Sequence, residues 1–432
     1  MTTQESPRPA RATNGPTLCT IKVAVIGAGG HVGLPFSLAL TRANFHVIGV
    51  DTDAERCREV MNGRVGFVEE GAETALSSAR RKGLLMMTTV LDDARAASVL
   101  VVIVGTPVDE HLNPVQRPLL SLVERIGAQL RHGQLIVLRS TVAPGTTERV
   151  REVLQAESGL VEGQDFHLVM APDRSQQGRT LKEIVSLPQI IGAFSDDGFE
   201  VARSFFRRLV RAPCLQLTPI EAEIGKLITN MTRYTMFALA NEYYLLADEL
   251  GGNIHRIFDA CNRDYPRLDL PDPGPNVGGP CLYKDGFFLV NHVPYAELIS
   301  TSFKINEFMP QHIIRKISAI EGARKIAILG MTFKADSDDI RNSLSFRLRK
   351  GLEASGYEVA CYDPYVPRWA DPANIRASHV AVLMTPHTEF ASLERVASLI
   401  DNPNCVMVDI WGSWEQARGR GDNGYFRCGD FR

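Results

Sequence analysis

No apolar run in the 432 residues approaches the roughly 18 that a membrane-spanning helix needs, so no membrane partner is expected. A surplus of basic charge is also missing. The formal net charge is −3, and a pI near 6.4 leaves no electrostatic footprint for nucleic acid. The eight cysteines, at 19, 57, 214, 261, 281, 361, 405 and 428, are scattered, and none forms a CxxC pair. That spacing argues against structural zinc and against a disulfide scaffold. No metal is expected, and a reducing cytoplasm is the simplest setting. Residues 1–20 lack the apolar core of a signal peptide and, being rich in Thr, Pro, Arg and Ala, read as a disordered tail. The composition that remains is that of an ordinary globular protein, 44% hydrophobic and 22% charged. Its length suits two or three domains.

Ile21 to Ile26 reads as a buried parallel strand. Gly27-Ala28-Gly29-Gly30-His31-Val32-Gly33 follows, then a helical pattern from Leu34 to Arg42 and a strand from Phe45 to Val50 that ends in Asp51. Strand, glycine turn, helix, strand and acid in this order predict a dinucleotide site, with pyrophosphate at the helix N-terminus. Asp51 lies where a carboxylate bonds the adenosine ribose 2′-OH and repels a 2′-phosphate, which favours NAD over NADP. Neither G-x-G-x-x-G register fits without a mismatch, so the turn is read as one residue longer than usual. His31 reads as a turn residue rather than a catalyst. Further buried strands are expected over 99–104, 135–138, 166–171 and 188–192. Those at 99–104 and 135–138 end in small hydroxyl-bearing turns, Gly105-Thr106-Pro107 and Arg139-Ser140-Thr141, where a doubly wound sheet lines its ligand crevice.

Pro219 to Leu250 reads as one long helix. Lys226 and Asn230 are one turn apart on it and share a face, among enough apolar residues to imply burial. A buried lysine needs a partner or a function. A helix apolar over most of its surface must be covered by something, which points to a homodimer. Residues 251–320 continue helical, interrupted by Pro273-Gly274-Pro275-Asn276-Val277-Gly278-Gly279-Pro280-Cys281-Leu282-Tyr283-Lys284-Asp285. A free cysteine usually packs as a small hydrophobe. If a helix starts near Cys281, however, its first-turn N–H groups favour thiolate, and Asp285 joins it at i, i+4. A second strand-turn unit starts at Lys325 to Leu329 and continues through Gly330-Met331-Thr332-Phe333-Lys334 to Asp338-Asp339-Ile340-Arg341. Strands follow over 357–362, 380–384 and 406–410. The fold class is therefore α/β, with two Rossmann-like doubly wound parallel-sheet domains joined by a long helix and a helical dimerisation core. The boundaries read as 21–218, 219–322 and 323–432.

In order, the Lys226–Asn230 helix, the Gly278-to-Asp285 loop, and Phe333-Lys334 with Asp338-Asp339-Ile340-Arg341 resemble the nucleotide-sugar 6-dehydrogenases. That group contains UDP-glucose dehydrogenase and the UDP-N-acetylhexosamine dehydrogenases, and the resemblance covers about residues 21–415. It implies an NAD-binding domain, a helical dimerisation core and a C-terminal UDP-sugar-binding domain. The implied chemistry is a four-electron oxidation of a sugar CH₂OH to a carboxylate. An aldehyde without a leaving group must be held covalently before a second hydride departs, and Cys281 would hold it as a thiohemiacetal and then a thioester. Lys226 and Asn230 would stabilise the oxyanion. Asp285 would activate water with Lys226, and Thr141 would position it. Asp173 stands where the family has a general acid/base glutamate, one methylene longer.

On the cofactor side the resemblance implies Gly27, Gly30, His31, Val32, Asp51, Arg56, Thr106, Thr141, Lys284 and Arg341. On the substrate side it implies Arg174, Lys226, Asn230, Arg233, Arg267, Gly278, Phe333 and Lys334. Tyr283 and Asn276 replace Pro and Gly of many members and are expected to reshape the sugar pocket. The stretch from Ala171 to Arg179, with Arg174-Ser175 after the acid, looks more like the N-acetylhexosamine branch than the glucose branch. UDP-glucose and GDP-mannose stay open as substrates. The competing readings are a single-hydride hydroxy-acid dehydrogenase, which leaves Cys281 without work, and a catalytically inactive NAD or nucleotide-sugar binder.

Overall fold

The computed structural model describes residues 21–291, 293, 295–414 and 425–427. The tail expected over 1–20 lies outside them. The first sheet holds β1 (Lys22–Ile26), β2 (His46–Val50), β3 (Leu85–Thr88), β4 (Val99–Val102), β5 (Leu135–Leu138), β6 (His167–Met170), β7 (Gln189–Ala193) and β8 (Cys214–Leu217). Their spatial order is β3-β2-β1-β4-β5-β6-β7-β8. The second sheet holds β9 (Lys325–Leu329), β10 (Glu358–Tyr362), β11 (Val380–Leu383), β12 (Val406–Val408) and β13 (Tyr425–Arg427). Its order is β10-β9-β11-β12-β13.

The continuous apolar runs of β1, β4 and β5 make these strands central, because helices cover both faces of a parallel sheet. Val23, Val101 and Val137 pack on one face of the first sheet, and Ala24, Leu100 and Ile136 on the other. In both sheets the strand order reverses beside the first strand, at β1 and at β9. Each reversal opens a crevice beyond the strand carboxyl ends, where ligands of such sheets bind.

Neither sheet is wholly parallel. β7 runs antiparallel to β6 and carries β8 with it, and β13 runs antiparallel to β12. The connection between β6 and β7 begins and ends at the same edge of the sheet, so its second strand runs back. β3, β8 and β13 have no counterpart among the sequence expectations.

The long helix is Pro219–Glu249, about 46 Å at 1.5 Å per residue. Pro219 takes the first helical position, and Glu221 accepts from the backbone N–H of Thr218 at 2.8 Å to close a capping box. The helix Glu297–Ser318 packs against it through a polar stitch. Asn241 donates to Asn306 at 2.9 Å, Asn306 donates to the Tyr234 carbonyl at 3.2 Å, and Asn241 accepts from Gly274 N–H at 2.8 Å. That last bond ties the glycine-proline loop to the long helix. Burial is one-sided: Ile228 and Leu246 are each 53% exposed. Among the described residues no helix is long and apolar enough to cross a membrane.

Candidate active site

The glycine-proline loop ends in a helix, Gly279–Val290, whose first turn carries Cys281. Gly278 and Gly279 have φ of +116° and +53°, and a Cβ on Gly279 would run into the ring of Phe333. Glycine here lets an aromatic from the second sheet's first loop lie directly on the loop backbone. One turn beyond Cys281, Asp285 is completely buried. It accepts from Asn230 Nδ2 at 2.6 Å and from Lys284 Nζ at 2.9 Å. Lys226 donates to Asn230 Oδ1 at 3.4 Å. The i, i+4 pairs of two helices thus interlock into one chain, Lys226–Asn230–Asp285–Lys284. A buried carboxylate is tolerable only with such partners.

Cys281 is reachable by solvent, yet enough protein surrounds it that desolvation pushes its thiol above the ordinary value, with Asp285 adding in the same direction. Lys284, Lys226 and Arg341 oppose this without reversing it. The helix N-terminus does not by itself decide the state of the thiol. The helix N-terminus is present, but crowding and a carboxylate one turn away favour the protonated form.

The second cluster lies beyond β1 and β2. Gly27 has φ +89°, and its Cβ would strike the Ile103 carbonyl; a Cβ on Gly33 would strike the Gly27 carbonyl. These are the first and last glycines of the fingerprint, with one extra residue between them, as the irregular register implied. Gly29 N–H bonds Asp51 Oδ2 at 2.8 Å, while Gly30 is solvent-facing. Arg56, expected at the cofactor, braces the turn. Its Nε donates to Gly29 O at 2.9 Å, another nitrogen bonds Val65 O, and its guanidinium lies over Phe67 at 5.4 Å. His31 stacks on the same ring at 4.3 Å between centroids. Burial, then Arg341, holds the imidazole below its ordinary value. Val32 precedes the helix Gly33–Arg42 as its cap residue.

A third cluster joins the two α/β halves. Lys334 Nζ donates to Gln177 O at 2.5 Å, and Gln177 Nε2 lies 2.9 Å from Asp339 Oδ2 and 3.0 Å from His31 Nδ1. Asp339 holds Arg341 through Nε at 2.9 Å and Nη2 at 2.6 Å. Burial first, then Arg179, lowers Lys334 from its ordinary value, and Arg233 adds to this. Three cations crowded together suit a polyanion such as a diphosphate.

Several expected residues have other partners. Arg267 is exposed, its Nε 3.0 Å from the nearby Tyr265 hydroxyl, and among the described residues it makes no bond to the clusters above. Arg174 donates to Pro188 O. Thr106 donates its hydroxyl to Thr141 O at 2.6 Å, which fixes the two strand-end turns to each other. Asn276, expected in the sugar pocket, is tied to the second sheet. It is buried, its Nδ2 lies 2.8 Å from Thr332 O and 3.1 Å from Thr385 Oγ1, and its Oδ1 accepts from Leu344 N–H at 2.8 Å, which anchors the loop to the second sheet. Asp173 is paired with Arg139, Nη2 to Oδ1 at 2.8 Å. The sequence reading missed Gly29, Gly33, Gln177, Arg179 and Arg139. Only the glycines had a local signal, the extra residue in the fingerprint.

Three family models of the UDP-glucose/GDP-mannose dehydrogenase family match in chain order: the NAD binding domain over residues 21–210, the central domain over 220–307 and the UDP binding domain over 327–416. UDP-N-acetyl-D-mannosamine dehydrogenase from Pyrococcus horikoshii is 30% identical over 423 residues, covering 93% of this chain and all of the relative. The chain belongs to the UDP-glucose/GDP-mannose dehydrogenase family. The solved structure of the Pyrococcus enzyme superimposes with a TM-score of 0.85 at 29% identity, covering 95% of this chain and 100% of that one. A UDP-N-acetyl-mannosamine dehydrogenase from Staphylococcus aureus gives 0.79 at 28% identity, covering 88% and 92%. The NDP-N-acetyl-D-galactosaminuronic acid dehydrogenase of Ralstonia nicotianae is 28% identical, covering 92% of this chain and 97% of the relative.

The protein is thus an NAD-dependent nucleotide-sugar oxidoreductase with an NAD-binding and a UDP-binding half. The cradle fits that cofactor. Gly27 and Gly33 admit no side chain, a helix N-terminus follows, and Asp51 keeps its carboxylate at the rim beside the turn.

Proposed function

We propose that the protein oxidises the C6 hydroxymethyl of a UDP-N-acetylhexosamine to the uronate, with Cys281 as covalent nucleophile. The observation that carries this is the buried Lys226–Asn230–Asp285–Lys284 chain beside an accessible thiol. The relatives' names, UDP-N-acetyl-D-mannosamine and NDP-N-acetyl-D-galactosaminuronic acid dehydrogenases, support the sugar class. Residues 21–218 hold the cofactor through Gly27, Gly29, Gly30 and Asp51, residues 219–322 supply the reacting groups, and residues 323–432 hold the UDP portion. Lys334, Arg179 and Arg233 receive the diphosphate, and Phe333 packs against the Gly278-Gly279 backbone beneath the sugar.

When bound, NAD accepts the hydrides, two per sugar. Cys281 Sγ adds to the C6 aldehyde, and as the C–S bond forms its proton passes to solvent, which reaches the thiol. The carbonyl oxygen becomes an oxyanion held by the Lys226 ammonium and the Asn230 amide. Oxidation of that adduct leaves a thioester on Cys281. Water held by Asp285, Lys226 and Thr141 then adds to the thioester, the C–S bond breaks, and the free thiol and the uronate result. The exposed Ile228 and Leu246 face supports a homodimer in which a second copy covers it, and the six free cysteines among the described residues support a cytoplasmic setting.

The test is NADH formed per mole of sugar across UDP-N-acetylmannosamine, UDP-N-acetylglucosamine, UDP-glucose and GDP-mannose. Two per sugar with an N-acetylhexosamine is the expected result. In Cys281→Ser, acid formation falls by about 10³-fold or more, as nucleophilic catalysis requires. Unimpaired acid formation by that variant sinks the mechanism, and turnover confined to UDP-glucose or GDP-mannose sinks the sugar assignment.

A further inference from the structure

Arg139 follows the last residue of β5, and Asp173 lies three residues beyond the end of β6. Leu138 and Met170 pair across these parallel strands, so the two side chains emerge together at the carboxyl edge, beside the Thr141 turn. The Arg139 side chain is only 3% exposed. Its Nη1 donates to Ala171 O at 3.1 Å and Gln189 Oε1 at 3.0 Å, and its Nη2 donates to Asp173 Oδ1 at 2.8 Å. The guanidinium lies over the Phe36 ring at 4.5 Å. The other Asp173 oxygen accepts from Ser175 Oγ at 2.8 Å, and Asp173 N–H reaches the Arg139 carbonyl at 3.3 Å. Both oxygens of the carboxylate are thus engaged, one of them by a cation that has no other anionic partner within salt-bridge distance among the described residues.

We infer that Arg139 and Asp173 form a fixed ionic floor that positions the Thr141 turn, and that Asp173 is a positioning residue rather than the group that moves protons in the oxidation. The physical argument is charge balance. A general base must accept a proton during turnover. Protonation of Asp173 would leave the Arg139 guanidinium buried without a counter-charge, which is the costly half of breaking a buried pair. Burial presses Arg139 down from its ordinary value, and Asp173 is the group that opposes this. The clamp passes along the chain. Ser140 Oγ accepts from Val104 N–H at 2.9 Å and donates to Val104 O at 2.8 Å, and Thr141 O accepts from Thr106. Displacing Arg139 therefore displaces Thr141. Proton handling falls to the Asp285 and Lys226 side of the cleft, where the lysine amines around the carboxylate can themselves give up a proton, as a guanidinium cannot. The inference deepens the proposed oxidation and rests on it for its catalytic half.

The experiment compares wild type, Asp173→Asn, Arg139→Gln and the double variant R139Q/D173N by thermal unfolding and by the pH profile of kcat for uronate formation. The single variants each leave one partner buried alone. They should lower Tm and cut kcat by about 10- to 100-fold, while every limb of the wild-type pH profile persists. The double variant should recover part of the Tm, and at least about tenfold of the kcat lost in D173N, because no unpaired charge remains. Loss of a pH limb in D173N, or a double variant no faster than D173N with kcat down by about 10³-fold or more, overturns the inference. If D173N does not fold, the double variant alone decides the matter by the same two readouts. Additive Tm changes in the three variants overturn the ionic floor whatever the activity. A wild type silent on every nucleotide sugar defeats the proposed oxidation instead, and the thermal cycle, which needs no substrate, separates the two failures.

Discussion

The crevices of the two sheets use one device to different ends. In the first, Gly27 (φ +89°) donates to Val50 O at 2.8 Å, and Asp51, just past β2, accepts from Gly29 N–H at 2.8 Å. In the second, Gly330 (φ +90°) donates to Tyr362 O at 2.9 Å, and Asp363, just past β10, accepts from Met331 N–H at 2.6 Å and Thr332 N–H at 3.2 Å. Glycine turn and carboxylate are stitched alike. The difference lies in what else the carboxylate meets. Asp51 is half-buried at the rim, where a ribose can reach it. Asp363 is wholly buried, takes Tyr365 N–H at 2.9 Å, and has His387 Nε2 at 3.2 Å. His387 Nδ1 accepts from Asp336 N–H at 2.9 Å, which assigns the neutral ring's proton to Nε2, facing Asp363. The same local geometry thus offers an acceptor to a ligand in one half. In the other it closes on the protein and stiffens the loop that carries Phe333, Lys334 and Arg341.

The sharpest way to break this comparison is to remove both carboxylates in turn. Asp363→Ala strands several buried donors at once. It should cost about 3–5 kcal/mol of stability, at roughly 1–3 kcal/mol per unsatisfied group with partial relaxation, read as a lower urea midpoint. An unchanged midpoint would mean that the second stitch is no more structural than the first. Asp51→Ala should lower stability by only about 1 kcal/mol, because one of its two backbone donors, Asp53 N–H, is exposed and the other, Gly29 N–H, bonds it in a part-buried setting. Its main effect should be on the cofactor, with KM for NAD rising about 10- to 100-fold, as expected when a charged hydrogen-bond acceptor is lost. A fall in stability as large as that of the Asp363 variant, with KM for NAD unmoved, would invert the assignment of the two halves.

The sheets and the reacting residues were legible for different reasons. β1, β4, β5, β9 and β11 are runs of Val, Ile, Ala and Leu buried on both faces, and such runs stand out in any sequence. β3 (Leu85–Thr88) alternates in burial, and β8 (Cys214–Leu217) is largely exposed. Both sit at sheet edges, where one side has no neighbour to demand apolar residues. Lys226 with Asn230 and Cys281 with Asp285 could be read because each pair is one helical turn apart. Gln177 could not. Its partners His31 and Asp339 lie 146 and 162 residues away, and a lone glutamine carries no sign of such a junction. Arg139 was hidden in the same way, since the pairing of β5 with β6 alone brings it to Asp173. How far the helix N-terminus governs Cys281 could not be read, because that N-terminus is a local feature, whereas the crowding that raises its thiol comes from the whole cleft.

The smallest effect is one of pH. Burial pushes the Asp363 carboxyl up, but the His387 hydrogen bond and the backbone donors outweigh it, so the net position is below the ordinary carboxylate value. A carboxyl depressed in the folded protein contributes stability above the unfolded pKa of about 3.9 and loses it as pH falls through the lower folded value. Stability should therefore fall as pH drops below about 4. Asp336 and Asp339, also held low, steepen this fall, so wild type alone does not isolate Asp363. The informative quantity is the difference between wild type and Asp363→Asn, measured by urea unfolding from pH 7 to pH 3. It should be flat down to about pH 5 and shrink below pH 4. A difference that stays constant to pH 3 would mean that Asp363 holds its loop by shape and not by charge, and the contrast with Asp51 would then rest on burial alone.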